Sequence, residues 1–498
     1  MKNTSLVKRL FAAFLALWML LASGCSAALP AETLPATEEQ EQTAVTAEEE
    51  KILPDPEGAT ADVPVEGLGL NGWAFQDFTI VYSEKQPDYT ARAAEWLRDT
   101  IRERIGVELT LTTTEKQKTP GEHEIVVGET DRDISKALAA PATGFQCSYL
   151  ARRGHIAMEG TSFTIAAAVY RFAEDYLSGT AVPAEITVAQ PVTAAPKNFI
   201  LLIGDGMGRN QTKLFEAYQG KKIVDYTDGE SDFYGHLFPY QGLAATNNID
   251  GGTTDSAASA TALATGLKTS NGRIGRSKED TDLLSITELA ASRGMATAVM
   301  STEGSGGATP SGFSAHATNR SDTEDILASQ KALQDKFGTL VTCDFNVYTA
   351  AELEALEEAV TKNLDTLYAD PDGFFMMYEE AYIDKHCHNN DMTMTFKALA
   401  RFNQTIGLVM EQAFYHPETA VLITADHETG GLVYRGQGKF NYSTGSHTNA
   451  KVPVFAYGEG MEVFHDKTVE NVQIPKTLAK MFGGALALET DGEYPPLF

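Results

Sequence analysis

The stretch Asn198–Gly208, NFILLIGDGMG, decides the fold. Five consecutive apolar residues, Phe199 to Ile203, are too many for a strand with one face in water. Such a run reads as a strand buried on both faces, the mark of a parallel sheet covered by helices. An acid, Asp205, stands directly behind it. In open α/β sheets ligands bind beyond the carboxyl ends of the strands, so Asp205 stands where chemistry is done.

Two further apolar runs end the same way. FFMMYEEAYIDKHCH (374–388) puts Glu379 at a strand end, then Asp384 and His388 four residues apart, a spacing that shares one helical face. AVLITADHETGG (420–431) delivers Asp426 and His427 together. An acid after a strand is commonly only a helix cap. Several acids buried at one edge without a cation would be very costly, however. Mixed Asp and His donors suit zinc or a similar borderline metal, while all-oxygen sets suit magnesium.

Small residues dominate GGTTDSAASATALATG (251–266). Thr253, Thr254 and Asp255 read as a cap, with Ser256 in the first turn of a helix and Gly266 as its stop. Free N–H groups and the positive dipole end there favour an anion. The alanines behind Ser256 let this helix pack closely against the sheet.

The segments IGDGMG, TTDSAASATALATG, ATPSGFSAHATNR, EEAYIDKHCH, TADHETGGL and TGSHTNAKVPVFA resemble, in order and form, those of the alkaline phosphatase family. The resemblance covers roughly residues 196 to 485. It implies an α/β, three-layer fold with a mostly parallel central sheet, and hydrolysis of phosphate monoesters through a phosphoserine on Ser256. It also implies two zinc ions and one magnesium. One zinc would be held by Asp384, His388 and His447, the other by Asp426, His427 and Asp205 with Ser256 as labile ligand. Asp205 would bridge to magnesium, completed by Thr309 and Glu379. Arg320 matches the arginine that grips phosphate.

Where the family usually carries Asp or His two residues before Thr309, this chain has Gly307. Lys385 matches the neighbouring basic residue and is expected to lose its carboxylate partner and turn to substrate phosphate. Magnesium binding would then be weakened, with Glu303 as an alternative stand-in. A phosphodiesterase of the same superfamily is the rival reading. His316 reads as a structural residue on the helix after Thr309, and Cys387 is a candidate disulfide partner for Cys343.

The remaining sequence sets the context. Lys2, Lys8 and Arg9 precede an apolar run, Leu10 to Leu21, too short to span a bilayer. It ends in LLASGC, which resembles a bacterial lipobox, so residues 1–25 are expected to be a signal segment with Cys25 lipidated. The chain would then be exported and tethered to the extracytoplasmic face of the membrane. Residues 26–70 hold eleven acids against the single Lys51, a composition that reads as a disordered acidic tether. Residues 71–190 alternate strand and helix patterns and form an expected small α/β accessory domain ahead of a 196–498 catalytic domain. That accessory unit loosely resembles one found before the catalytic domain of some glycoside hydrolases. The net charge of −29 argues against a nucleic-acid partner, and a homodimer is left open.

Overall fold

The computed structural model describes residues 69–138, 144–218, 233–436, 439–486 and 494–498. The signal segment, Cys25 and nearly all of the acidic tether lie outside the described residues. Among the described residues no helix is long and apolar enough to cross a membrane.

Two mixed sheets carry the fold. The first is built from β1 (Thr79–Tyr82), β2 (Thr110–Thr113), β3 (Glu124–Val127), β4 (Cys147–Arg152), β5 (His155–Gly160) and β6 (Thr187–Ala189), in the order β2-β1-β3-β5-β4-β6. Helix α1 (Asp88–Ile105) follows β1 and stops at Gly106, whose φ of 71° closes it in the left-handed conformation. Helix α2 (Ile165–Tyr176) follows the β4–β5 hairpin.

The second sheet contains β7 (Asn198–Gly204), β8 (Tyr240–Ala245), β9 (Ala296–Ser301), β10 (Leu340–Cys343), β11 (Phe374–Glu380), β12 (Thr419–Thr424), β15 (Val452–Tyr457) and β16 (Thr468–Glu470). A separate short ribbon pairs β13 (Glu428–Thr429) with β14 (His447–Thr448). The large sheet runs β10-β9-β11-β7-β12-β15-β8-β16. Its five strands from β10 to β12 are parallel, and β15 runs antiparallel to both its neighbours. Every residue of β7 and β11 is buried, as their apolar runs demand. Because β7, β11 and β12 are parallel neighbours, Asp205, Glu379 and Asp426 arrive at one edge.

The helices that finish the site are short or tightly packed. Helix α3 (Ser256–Thr265) is buried along its whole length, and Gly266 ends it with φ 74°. It packs closely on α4 (Ala308–Ser314): a Cβ on Gly312 would lie 2.7 Å from Ala260 Cβ. The small residues of α3 therefore serve the approach to α4 as well as to the sheet, where Ser259 Oγ donates to the carbonyl of Asp426 at 2.6 Å. Helix α5 (Tyr382–His388) follows β11, and the long α6 (Met392–Tyr415) leads back to the start of β12.

The described residues of the two sheets share one compact unit. Arg92 of α1 forks onto the buried carboxylate of Glu411, and Trp96 stacks on Tyr415 with ring centroids 4.6 Å apart. These residues of α6 precede β12, so the contact lies toward the amino end of that strand, away from the edge that carries Asp426.

One expectation is corrected. Helix α4 ends at Ser314, and His316 lies beyond it in extended chain rather than on the helix. Its Nδ1 meets the Gly275 carbonyl and its Nε2 the Glu288 carboxylate, a structural role.

Candidate active site

Asp255 caps α3 by accepting from Ala258 N–H at 3.0 Å, which sets Ser256 as the first helical residue. Ser256 Oγ lies 3.2 Å from His427 Nε2. His427 Nε2 is in turn 3.1 Å from Asp426 Oδ2 and 3.6 Å from Asp205 Oδ1. One donor atom each from Asp205, Asp426 and His427 falls within 4.8 Å of the others, all three residues buried. A second group, Asp384, His388 and His447, meets the same criterion. These are the two donor sets expected from the sequence.

Supporting contacts fix the imidazoles. His388 Nδ1 faces the Gly445 carbonyl at 2.8 Å and His447 Nδ1 faces the Thr254 carbonyl at 2.9 Å, so both present Nε2 to the centre. Those two Nε2 atoms are 3.0 Å apart, and the rings of His427 and His447 stack at 3.6 Å. Thr429 Oγ1 donates to Asp384 Oδ1 at 2.5 Å. Sequence reasoning passed over Thr429. Its signal was the two-residue alternation that puts it on the same side of the chain as His427.

Electrostatics describe a site under tension. Burial, then the charges of Asp426, Asp384 and Glu379, pushes the Asp205 carboxyl well above the usual carboxylate range. Burial and Asp384 lift Asp426 to about 6, and burial with the charge of Glu303 raises Glu379 well above its ordinary value. Desolvation drops His427 to about 4, whereas the bond to Asp384 lifts the more exposed His388 to about 9.

Whether these residues fit a bound cation can be read from unmet bonds. Asp205 Oδ1, Asp426 Oδ2, Glu379 Oε1 and Thr309 Oγ1 are all buried without a hydrogen-bond partner. Buried polar atoms are nearly always satisfied; among the described residues sixteen side-chain atoms are not, and four of them gather on expected ligands at this one edge. The donor chemistry fits: nitrogen and carboxylate oxygen in the two triads, oxygen alone around Glu379 and Thr309.

Arg320 reaches this edge with Nη1 3.3 Å from Asp255 Oδ2 and stays substantially exposed, so its guanidinium is oriented yet free to meet an anion. Lys385 departs from expectation. It has a carboxylate partner: its Nζ donates to Glu303 Oε2 at 2.7 Å. Burial works against the ammonium, but Glu303 prevails and its pKa is raised. Neither His386 nor Cys387 joins the centre. His386 Nε2 faces Tyr348 Oη at 3.0 Å, and Cys387, like Cys343 and Cys147, is a free thiol.

The chain belongs to the alkaline phosphatase family, whose model, described as Alkaline phosphatase, matches residues 196–352 and 346–444, half of its length. It is 24% identical over 336 residues to Alkaline phosphatase 3 of Bacillus subtilis, covering 57% of this chain and 70% of that one. Alkaline phosphatase 4 of the same organism is 27% identical over 299 residues, which span 49% of this chain and 64% of the relative. Among solved structures, the alkaline phosphatase from the Antarctic bacterium TAB5 superposes with a TM-score of 0.50 at 28% identity, covering 58% of this chain and 99% of that one. Family membership supports phosphoester hydrolysis as the chemistry.

Proposed function

We propose that the protein hydrolyses phosphate monoesters through a phosphoserine on Ser256. The observation that carries this reading is the placement of Ser256 Oγ, on a helix N-terminus and 3.2 Å from His427, beside two Asp/His triads, the nearer of which leaves Asp205 Oδ1 and Asp426 Oδ2 without a hydrogen bond. Asp384, His388 and His447 would hold one zinc ion, and Asp205, Asp426 and His427 the other, with Ser256 as a labile ligand. Asp205, Thr309 and Glu379 would hold magnesium. When bound, such cations lower the pKa of hydroxyl groups and neutralise charge on the attacking and leaving oxygens.

The chain's own groups do the rest. Ser256 Oγ attacks phosphorus in line, the ester P–O bond breaks and the alcohol departs. Water then cleaves the phosphoserine, returning the serine hydroxyl and releasing inorganic phosphate. Arg320 presents a guanidinium fork to two equatorial oxygens, which a monoester leaves free. Asp255 holds that fork in place while capping α3, so one carboxylate orients both nucleophile and phosphate clamp. The first N–H groups of α3 add a positive field at the same point. Lys385 is held in an ion pair with Glu303, so Arg320 is the cation left to meet the phosphate.

In the cell we place the protein outside the cytoplasm, lipidated at Cys25 and held off the membrane by residues 26–70. The test of the activity is turnover of p-nitrophenyl phosphate against its bis-ester by zinc-loaded chain. Release from the monoester alone is expected; faster release from the bis-ester would make the protein a phosphodiesterase.

A further inference from the structure

Glu303 stands in the loop between β9 and α4 with its carboxylate in an unusual place. A Cβ built on Gly307 would lie 1.9 Å from Glu303 Oε1 and 2.2 Å from its Cδ. Gly307 itself has φ −59° and ψ 155°, a conformation open to any residue. Backbone geometry therefore makes no demand for glycine at 307. The space does, because the Glu303 carboxylate fills it.

That carboxylate is held by Lys385, and the Glu303 backbone is held on both sides of it. Its Oε2 accepts from Lys385 Nζ at 2.7 Å, and the Glu303 side chain is only 18% exposed. Its backbone N–H donates to Ser301 Oγ at 3.0 Å, and the same hydroxyl donates to Glu379 Oε2 at 2.5 Å. Its carbonyl accepts from Asp344 N–H at 2.8 Å. Ser301 thus links the Glu303 backbone directly to the carboxylate whose other oxygen, Oε1, is unpartnered, as is Thr309 Oγ1 two residues beyond Gly307.

We infer that Glu303 is a positioning residue of the active site: it occupies the volume a side chain at 307 would take, holds Lys385 at the rim, and supplies the outer negative charge that sets the affinity of the cation held by Asp205, Thr309 and Glu379. The inference rests on the reading of those three residues as a cation site. Glu303 does not touch the reacting atoms; its carboxylate acts through Lys385 and through its charge, while its backbone N–H fixes the Ser301 hydroxyl that donates to Glu379. The Glu303 carboxylate in its present place and a side chain at 307 exclude one another.

The experiment titrates magnesium alone into the zinc-loaded full chain by calorimetry and follows monoester turnover in parallel. Glu303→Gln keeps the shape and removes the charge; it is expected to bind magnesium about 10–100-fold more weakly with zinc content unchanged, the usual size of an outer-shell loss. Gly307→Asp alone drives the two side chains together, whereas Gly307→Asp combined with Glu303→Gly is expected to recover most of the lost affinity. Magnesium affinity of Glu303→Gln within about twofold of the parent, or a double variant no tighter than Glu303→Gln, overturns the inference. A parent chain that turns over monoesters but binds no magnesium removes this inference and leaves the proposed activity standing. A parent that binds magnesium yet turns over no monoester removes the activity instead.

Discussion

Glu379 and Glu380 are neighbours at the end of β11, equally buried, and treated in opposite ways. Glu380 is answered within the chain. Arg401 forks onto it with two bonds of 2.7 Å, and Thr302 Oγ1 and the Tyr382 N–H complete it. Arg401 is itself buried and gives its remaining donors to the carbonyls of Phe345 and Val347. Glu379 receives one bond, from Ser301, and leaves Oε1 unmet. Strand alternation sends the two side chains to opposite faces: one toward helix α6, where an arginine waits, the other toward Asp205 and Thr309, where only more oxygens do. A buried acid with its own cation holds the fold together. A buried acid without one stores the free energy that a cation releases on binding.

The largest effect expected concerns the nucleophile that the unmet acids serve. Ser256→Ala keeps both triads and should lower monoester kcat on the order of a thousandfold or more, with zinc content by atomic absorption unchanged. Residual turnover within tenfold of the parent would mean that the nucleophile is elsewhere.

Glu380→Gln tests the satisfied half of the comparison. It leaves the Arg401 charge buried and half-paired, and should cost about 3–5 kcal/mol in urea unfolding of the metal-free chain.

Glu379→Gln should move the other way. The folded pKa of Glu379 is raised, so the folded chain keeps a proton that the unfolded chain releases above the usual carboxylate range. Stability of the parent therefore falls as pH rises above that range, and the glutamine variant escapes the loss. Metal-free Glu379→Gln is expected to be more stable than the parent by about 1–2 kcal/mol at pH 8, with a smaller gap at pH 5. If both variants lose stability equally, the distinction between the two acids falls.

A self-satisfied pair of smaller consequence joins His316 to Glu288. Burial opposes the charged ring, but Glu288 prevails and raises the His316 pKa. The contribution is full below the unfolded histidine value and fades as pH climbs through the folded one. His316→Gln should therefore cost up to about 1 kcal/mol at pH 6 and less at pH 9, read from the same unfolding curves.

Much of this was legible in the sequence because it is written in short range. Apolar runs of four or five residues named the buried strands, and the acid after each run named the edge. Asp384 and His388 showed their shared face by spacing, and Asp255 and Gly266 marked the ends of α3. What escaped depends on chain brought together from afar. Arg401 meets Glu380 across a helix, and Thr429 meets Asp384 across a loop. Arg92 reaches Glu411 from the other sheet, at an α1 surface that reads simply as a charged helix face. Glu303 could be named from the sequence as a stand-in, but the place its carboxylate takes could not. Its loop, Gly304-Ser305-Gly306-Gly307, carries no pattern that fixes where a side chain ends, so only the folded backbone shows that the carboxylate fills the gap at Gly307.

The central claim is that Ser256 carries the phosphoryl group. It is tested most directly by acid-quenching the zinc-loaded chain during turnover of a monoester and mapping phosphate by peptide mass spectrometry. The account predicts one phosphoryl group, on the peptide holding Ser256 and on Ser256 itself. Steady turnover with no labelled peptide, or with the label on another residue, would contradict it.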